Sequence, residues 1–199
     1  MLLPKEKIES GDEKKLNALK GETMAVIALC QFDLTRCFGY PYTKDNGASL
    51  GAPLIDHLVG TYENPSRSTV AQAYDFIIET LEEAVTLMSE EKNNGRMNKY
   101  AARALLARVY LYHNDNRKAF DMAEQLIKDV DASGSYALYP HEKYVAAWSV
   151  ETKFGSESFF EIANSVDDTP GRDSWGYLLN WYGYQEGICH SEICGADAG

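Results

Sequence analysis

The chain has 199 residues, 45% of them hydrophobic, and a formal net charge of −11. This length fits one ordinary domain or a piece of a larger protein. The acidic balance, without a dense run of lysine or arginine, argues against nucleic-acid binding, because phosphates are bound by clustered cations. The sequence contains no apolar stretch long enough to span a membrane, and its N-terminus lacks the apolar core of a signal peptide.

The first predicted helix covers about residues 14–38. Gly39 and Pro41 end it, because glycine tolerates the capping conformation and proline cannot continue a helix. Residues 40–67 contain several glycines and prolines and are predicted to form a long irregular loop, which is usually functional or partner-binding. Three- to four-residue spacing predicts the buried face of this helix, which consists of Leu16, Leu19, Thr23, Val26, Ile27, Cys30, Leu34 and Cys37.

The second predicted helix begins at Thr69. Thr69 and Gln72 have the spacing of a capping box, in which each side chain binds the free backbone N–H of the other residue. Asn93-Asn94-Gly95 is expected to end this helix. Its predicted apolar face consists of Val70, Ala73, Tyr74, Ile77, Ile78, Leu81, Ala84, Val85 and Met88.

The third and fourth predicted helices cover about residues 99–113 and 117–130. The third is small and apolar on almost all sides, which predicts burial between neighbours. The segment Asn114-Asp115-Asn116 provides the turn and an N-cap, and Gly134 closes the fourth helix. Inward-facing residues of the fourth helix are predicted to be Ala119, Phe120, Ala123, Leu126, Ile127 and Val130.

The pattern changes after Gly134. Residues 136–139 and 158–162 are predicted to be short extended pieces, and residues 144–148 a short helix. We therefore expect a helical region over residues 1–135, with its long loop at 40–67, and an irregular loop-rich region over 136–199 packed on it. Together they are expected to form a single truncated domain.

Small residues in the third and fourth helices have the spacing of a tetratricopeptide repeat. Leu106-Ala107 and Tyr110 match its first helix, and Ala119 and Ala123 match its second. Small side chains let two helices approach closely, and the tyrosine fills the gap between them. The first two helices are interpreted as a divergent second pair. The predicted fold class is therefore mainly α, with tetratricopeptide-like antiparallel helix pairs, irregular loops and a few short strands.

Ordered sequence blocks add a family resemblance. The blocks are Gly21-Glu22 with Phe32 to Gly39, Arg67 to Val70 with Tyr74-Asp75, Gly95-Arg96 with Lys99 to Ala102, and Glu157 to Ile162. In this order and at these separations they resemble the RagB/SusD family of outer-membrane nutrient-binding lipoproteins of Bacteroidota. Val26-Ile27-Ala28 departs from the Leu-Arg-Ala that the family often carries. Family members are much longer, so the chain resembles the central part of one.

The resemblance implies a non-enzymatic, surface-exposed glycan-binding protein of the outer membrane, as in starch utilisation systems. It implies two partners, an oligosaccharide or polysaccharide and a SusC-like TonB-dependent transporter. Membrane attachment would be through a lipid anchor that this sequence lacks. The alternative is a tetratricopeptide-like scaffold that binds protein. A glycoside hydrolase fragment is a third reading, but the adjacent carboxylate pairs do not have the facing geometry of a hydrolase pair.

Sugar recognition needs aromatic faces for the C–H side of the ring and planar polar groups for the hydroxyls. A segment near the C-terminus carries both types, although the same aromatics would also suit an ordinary core. Tyr42, Asp45 and Asn46 in the long loop are second-choice contacts, which a flexible polar loop explains equally well. The predicted glycan-binding residues are Trp175, Trp181, Tyr184 and Tyr177 as aromatics, with Arg172, Asp173, Asn180 and Gln185 as polar partners.

No catalytic, cofactor or metal site is expected. The histidines are widely spread, and there is no phosphate-binding glycine loop. Cys189 and Cys194 do not have the short spacing of a zinc site. Cys30 and Cys37 are too far apart on one helix for an unstrained disulfide. All four cysteines are interpreted as free thiols or incidental packing residues, and a bridge between Cys189 and Cys194 stays open as an alternative in an oxidising compartment.

Overall fold

The structure is a computed structural model that describes residues 12–147 and 154–162. The chain divides into two units, residues 1–161 and 162–199, and the helices below belong to the first unit. The mainly α prediction is confirmed. The described elements are α1 (Glu13–Phe38), β1 (Leu50–Pro53), β2 (Arg67–Thr69), α2 (Val70–Leu87), α3 (Lys99–Tyr112), α4 (Asn116–Ser133) and α5 (Tyr144–Ala147), with short 3-10 turns at Tyr42–Lys44 and His141–Lys143.

Side-chain caps fix where the helices begin. The predicted capping box at Thr69 and Gln72 is present at the start of α2, and Asp115 caps α4 by accepting from the Lys118 amide at 3.2 Å. Gly134 ends α4 in the left-handed conformation (φ 64°). No described helix has the length and apolar character needed to cross a bilayer.

The end predicted for α2 is wrong. The helix stops at Leu87, before Asn93-Asn94-Gly95, because Met88 adopts an extended backbone conformation (φ −81°, ψ 151°). The Met88 side chain is buried against α1. Burying this side chain stabilises the early exit of the chain from the helix, and the connection to α3 follows from there.

The buried face predicted for α1 is also wrong. Leu16, Leu19, Val26 and Leu34 are exposed, and so are Cys30 and Cys37, which are free thiols as expected. Two sets of residues in α1 recur at helical spacing, and the set with the smaller side chains lets α2 approach more closely. The face that packs on α2 and the rest of the core consists of Gly21, Met24, Ala25, Ala28, Gln31, Phe32 and Thr35.

Helices α3 and α4 pack on each other as one pair, and α1 and α2 pack as another. Ala119, Leu126 and Val130 are buried as predicted, but Phe120 and Ile127 are 60% and 61% exposed. These two side chains lie on the outer side of α4, and no described element covers them.

Polar contacts join α3 to its neighbours. Arg103 of α3 binds Asp129 of α4 at 2.6 Å. The Tyr110 hydroxyl of α3 donates to Glu82 of α2 at 2.5 Å. Since Tyr110 is itself buried, it fills the space between helices as the repeat spacing predicted.

The connection between α1 and α2 is more regular than predicted. It contains β1 and β2, which pair antiparallel with Leu50 opposite Thr69 and Pro53 opposite Arg67. The two strands bring the ends of residues 54–66 together next to the start of α2.

The described residues after α4 contain no strand, so the extended pieces predicted at 136–139 and 158–162 form no ladder. Among the described residues, a backbone bond from Ala137 N–H to the Ser156 oxygen at 3.0 Å links the segment after α4 to residues 154–162. The aromatic rings of Tyr136, Tyr100 and Phe159 pack together. The short helix predicted at 144–148 is present over Tyr144–Ala147, and Trp148 lies outside the described residues.

Candidate functional site

The aromatic segment predicted to bind glycan lies outside the described residues. It remains a prediction for all eight of its residues, which are Arg172, Asp173, Trp175, Tyr177, Asn180, Trp181, Tyr184 and Gln185. The described part of the chain offers one further surface with the chemistry of a sugar site, the connection between α1 and α2.

The second-choice residues in this connection have structural roles. The Tyr42 ring packs on Tyr74 and His113, with ring centroids 5.6 and 4.2 Å away. Asp45 accepts from the Ser49 hydroxyl, which holds the pKa of this carboxyl below its usual value. Asn46 has a left-handed backbone (φ 55°) and shapes the turn. Tyr42 and Asp45 are therefore engaged within the protein.

The loop is fixed at its base by the start of α2. The first amides of a helix have no partner within it. Here Val70 N–H donates to the Ser49 oxygen and Ala71 N–H to the Gly47 oxygen, both at 2.9 Å. Gly47 has a positive φ (74°), and a Cβ there would lie 2.7 Å from the Ala71 nitrogen. Only glycine fits this contact, which joins the loop to the helix.

Arg67 braces the other side of the base. Its Nε donates to the Gly51 oxygen at 2.7 Å and its Nη2 to the Leu50 oxygen at 2.8 Å. The Ser68 hydroxyl donates to the Ala52 oxygen at 2.9 Å. From α1, Gln31 Nε2 donates to the Pro53 oxygen at 3.2 Å. Since all these acceptors are carbonyls of residues 50–53, β1 is held from both sides.

A second clamp closes the outer part of the loop, residues 56–63, which we call the tip. His57 Nδ1 lies 2.6 Å from Asp56 Oδ1, and its Nε2 lies 2.6 Å from Glu63 Oε1. The other oxygen of Glu63 accepts from Gly60 N–H at 3.0 Å, and Glu63 N–H donates to the Gly60 oxygen, also at 3.0 Å. The imidazole therefore ties the turn at Gly60–Glu63 to the start of the tip.

The clamp changes the acidity of all three side chains. Hydrogen bonds to Asp56 and then to Glu63 raise the pKa of His57. The bond from His57 lowers the pKa of Asp56. The pKa of Glu63 is lowered first by the Gly60 amide and then by His57. Each direction favours the charged form of the group.

Between the clamped residues, the tip presents apolar side chains to solvent. Tyr62 is 96% exposed and Leu58 is 77% exposed. An exposed aromatic ring beside carboxylates and an imidazole is the combination that binds sugars, through the ring face and through hydrogen bonds to hydroxyls. Sequence reasoning missed this surface. Its available signal was Tyr62 immediately after Gly60-Thr61, within a loop already considered functional.

The blocks that carried the family resemblance are joined in the structure. The Glu22 carboxylate of α1 accepts from Arg96 Nε at 2.9 Å and from Met97 N–H at 3.1 Å. Glu161 accepts from Phe154 N–H at 2.7 Å and Gly155 N–H at 3.1 Å. We call the part of the protein that these contacts hold together the frame. The described residues hold no cluster of side chains suited to a metal ion.

Two further apolar surfaces of the described part, apart from the tip, face outward. One is the outer side of α4, with Phe120 and Ile127. The other is an open groove of about 510 Å³ between the end of α1 and β1, lined by Leu34, Phe38, Ala52, Pro53, Ile55 and Arg67. Apolar surface of this kind usually marks a contact with another part of a protein or with a partner.

Comparison with known proteins gives these surfaces a context. A SusD-like family model, described as starch-binding and associating with the outer membrane, matches residues 2–111, which is more than half of the chain. Among curated proteins, none matches the chain.

Solved structures of the same superfamily match the fold. A SusD superfamily protein from Bacteroides vulgatus ATCC 8482 is 95% identical, with a TM-score of 0.84 over 89% of this chain and 40% of that one. A SusD superfamily protein from Bacteroides thetaiotaomicron VPI-5482 is 39% identical, with a TM-score of 0.80 over 87% and 38%. A laminarin-binding SusD-like protein is 26% identical, with a TM-score of 0.61 over 78% and 32%. The chain thus spans 40% or less of the length of these three structures.

Proposed function

Since the chain belongs to the SusD-like family, we propose that it is part of a cell-surface glycan-binding protein that works without catalysis. In this proposal it captures oligosaccharides and delivers them to a SusC-type TonB-dependent transporter in the outer membrane. The family description, starch-binding and associating with the outer membrane, supports the ligand class and the location. The laminarin-binding relative supports a glucan as the first ligand to test.

The observation that carries the proposal is the tip of the loop between α1 and α2. Its most exposed side chain, Tyr62, is an aromatic residue. The loop beneath it is held by the contacts of Arg67 and Gly47 described above. A preformed aromatic surface loses less conformational entropy on binding than a flexible one. This smaller loss favours the binding of ligands that form few strong contacts, such as sugars. We propose that the tip is a glycan-binding surface, and the aromatic segment 172–185 stays a separate prediction from the sequence.

The apolar surfaces that face outward support the proposal that the protein binds a protein partner. Phe120 and Ile127 on α4, and Leu34 and Phe38 beside the groove, are large exposed side chains. We assign these surfaces to contacts with the transporter or with the remaining length of the protein. They also keep the second candidate function, a tetratricopeptide-like scaffold that binds protein, as the alternative outcome of the experiment.

The test is affinity electrophoresis and calorimetry of the chain with soluble starch and laminarin, comparing wild type with Tyr62→Ala and Trp181→Ala. Loss of one stacking ring removes on the order of 1–2 kcal/mol, or roughly a five- to thirtyfold weaker Kd. The Tyr62→Ala variant should keep the wild-type Tm, because the side chain contacts little of the protein.

The control is Phe120→Ala, which removes an exposed ring from α4, away from the tip. It should leave glycan affinity unchanged. Glycan binding that survives both tip and segment substitutions would reject these residues as the site. A Trp181→Ala variant with a large loss of stability and unchanged binding would assign Trp181 to the core.

A further inference from the structure

The geometry of the His57 clamp depends on the protonation of the ring. Both ring nitrogens lie 2.6 Å from a carboxylate oxygen. A neutral imidazole has one N–H donor and one acceptor nitrogen, whereas the imidazolium has two donors. Two carboxylates can therefore both accept from His57 only when the ring is doubly protonated. The observed tip has the geometry of that charged form.

We propose that His57 is a positioning residue of the glycan-binding surface: its protonated ring ties Glu63 to Asp56 and so fixes how Leu58 and Tyr62 are presented. The surface then binds glycan more tightly below the pKa of His57 than above it. This inference rests on the proposed function of the tip.

The two carboxylate contacts of His57 differ in the length of chain that they connect. Asp56 is the neighbour of His57 in sequence, so their contact closes no loop. Glu63 lies six residues away, so its contact joins the two ends of the tip. When the ring loses a proton, one nitrogen presents a lone pair to a carboxylate, and that contact is lost. The Gly60–Glu63 turn keeps its own hydrogen bonds but is no longer tied to residue 57 whenever Glu63 is the partner released.

The charges around the ring set the direction of the effect. Within the described residues, Asp56 and Glu63 are the charged groups that act on His57, and both favour its protonated form. The pKa of His57 is thus raised above its ordinary value of 6.5. A group with a raised pKa contributes its stabilisation below the ordinary value and loses it as the pH rises through the raised value.

The first test needs no glycan. Heteronuclear NMR of the 199-residue chain should show the His57 ring titrating above 6.5, with the Gly60 and Tyr62 amide shifts following the same curve. Substituting Glu63→Gln should lower the pKa of His57 and reduce the movement of these amides. The clamp hypothesis would be rejected if the His57 ring titrated at its ordinary value. It would also be rejected if the amide shifts of the tip did not change as His57 titrates.

The second test measures glycan affinity from pH 5.5 to 8.5 with the glucan that binds best. Wild type should lose about three- to tenfold in affinity across this range, the cost of ordering one or two side chains on binding. The His57→Gln variant should bind weakly at every pH. The His57→Arg variant, whose permanent charge carries several donors, should bind well at every pH.

The matched control is His141→Gln, which removes another exposed histidine from a 3-10 turn outside the loop and should keep the wild-type pH profile. A flat wild-type profile, with glycan bound and His57 titrating, would reject the positioning role and leave the proposed function standing. Absence of glycan binding by wild type at any pH would instead reject the proposed function of the tip, and the NMR titration would still decide the clamp.

Discussion

Gly21 lies where α1 packs directly on the end of α2, and replacing it by alanine tests how tightly these helices pack. A Cβ built at this position lies 2.6 Å from Met88 Cγ, 2.9 Å from the Ala84 carbonyl oxygen and 3.1 Å from Leu87 Cβ. Met88 has a flexible side chain that can move. The Ala84 oxygen belongs to the backbone of α2, so relief there requires the two helices to separate.

The size of the effect follows from two opposing terms. Overpacking a buried site costs about 1–3 kcal/mol, and a contact with backbone places Gly21→Ala in the upper part of this range. Alanine gains about 1 kcal/mol over glycine in the interior of a helix. The expected net loss is about 1–2 kcal/mol, which for a chain of this length lowers Tm by roughly 2–8 °C.

Differential scanning calorimetry and urea unfolding measure this loss directly. The control is Gly60→Ala in the tip, where the nearest atom to a new Cβ is Glu63 Oε2 at 3.8 Å and φ is not in the left-handed region. This control should match or slightly exceed wild-type stability, because alanine restricts the unfolded chain. A Gly21→Ala protein as stable as wild type would refute the close approach of the two helices.

Two further predictions concern ionic contacts within the helical layer. Glu22→Gln should lower Tm more than Asp121→Asn. Glu22 is mostly buried and binds two nitrogens of Arg96, whereas Asp121 lies in an exposed ion pair within one helix. Equal losses of Tm would show that the Glu22 contact stabilises the fold no more than the exposed pair does. Arg103 lowers the pKa of Asp129 below 3.8, so this carboxylate stabilises the fold at higher pH and loses its contribution as the pH falls through the lowered value. The Tm gap between wild type and Asp129→Asn should therefore narrow below pH 3.8, and a gap independent of pH would contradict the assignment.

Local signals predicted most of the helical layer. The capping box at Thr69, the N-cap at Asp115 and the left-handed Gly134 are determined by residues close to one another in sequence, and each stands where the sequence predicts it. The spacing of Tyr110 correctly indicated a tyrosine between packed helices. These features need no knowledge of distant parts of the chain.

The buried faces of α1 and α4 depended on information that periodicity does not contain. In α1, one helical stripe carries Leu19, Val26 and Leu34, and a neighbouring stripe carries Gly21, Ala25 and Ala28. Choosing the stripe with the larger side chains assumes that buried hydrophobic area determines which face of α1 packs on the core. In the structure, the close approach of α2 to Gly21 determines the buried face of α1. That approach depends on where α2 lies in space.

The candidate site was harder still to predict. The functional role of the loop was inferred from its length and stays a prediction. Within the loop, Tyr42 and Asp45 bind other residues of the protein, whereas Tyr62 faces solvent. Orientation within a loop follows from hydrogen bonds between residues far apart in sequence, such as Arg67 with the carbonyls of β1. The clamp of His57 by Glu63 likewise joins side chains of ordinary composition at a spacing that matches no motif.

The division of roles within the chain bears on how specificity can vary in this family. The residues that carried the family resemblance are engaged in the frame: Gly21 sets the helix separation, Glu22 binds Arg96, Arg67 braces β1, and Glu161 accepts two backbone amides. Changing any of them would disturb the fold.

The tip has the opposite properties. The side chains of Leu58 and Tyr62 are largely exposed to solvent. Replacing them should therefore change the stability of the fold little, while it changes the surface that a ligand meets. The tip is attached to the frame through β1 and β2, and none of the sequence blocks of the family includes a residue of the tip. We therefore expect an exchange of residues 56–63 for those of a relative with another glycan preference to transfer binding without loss of Tm.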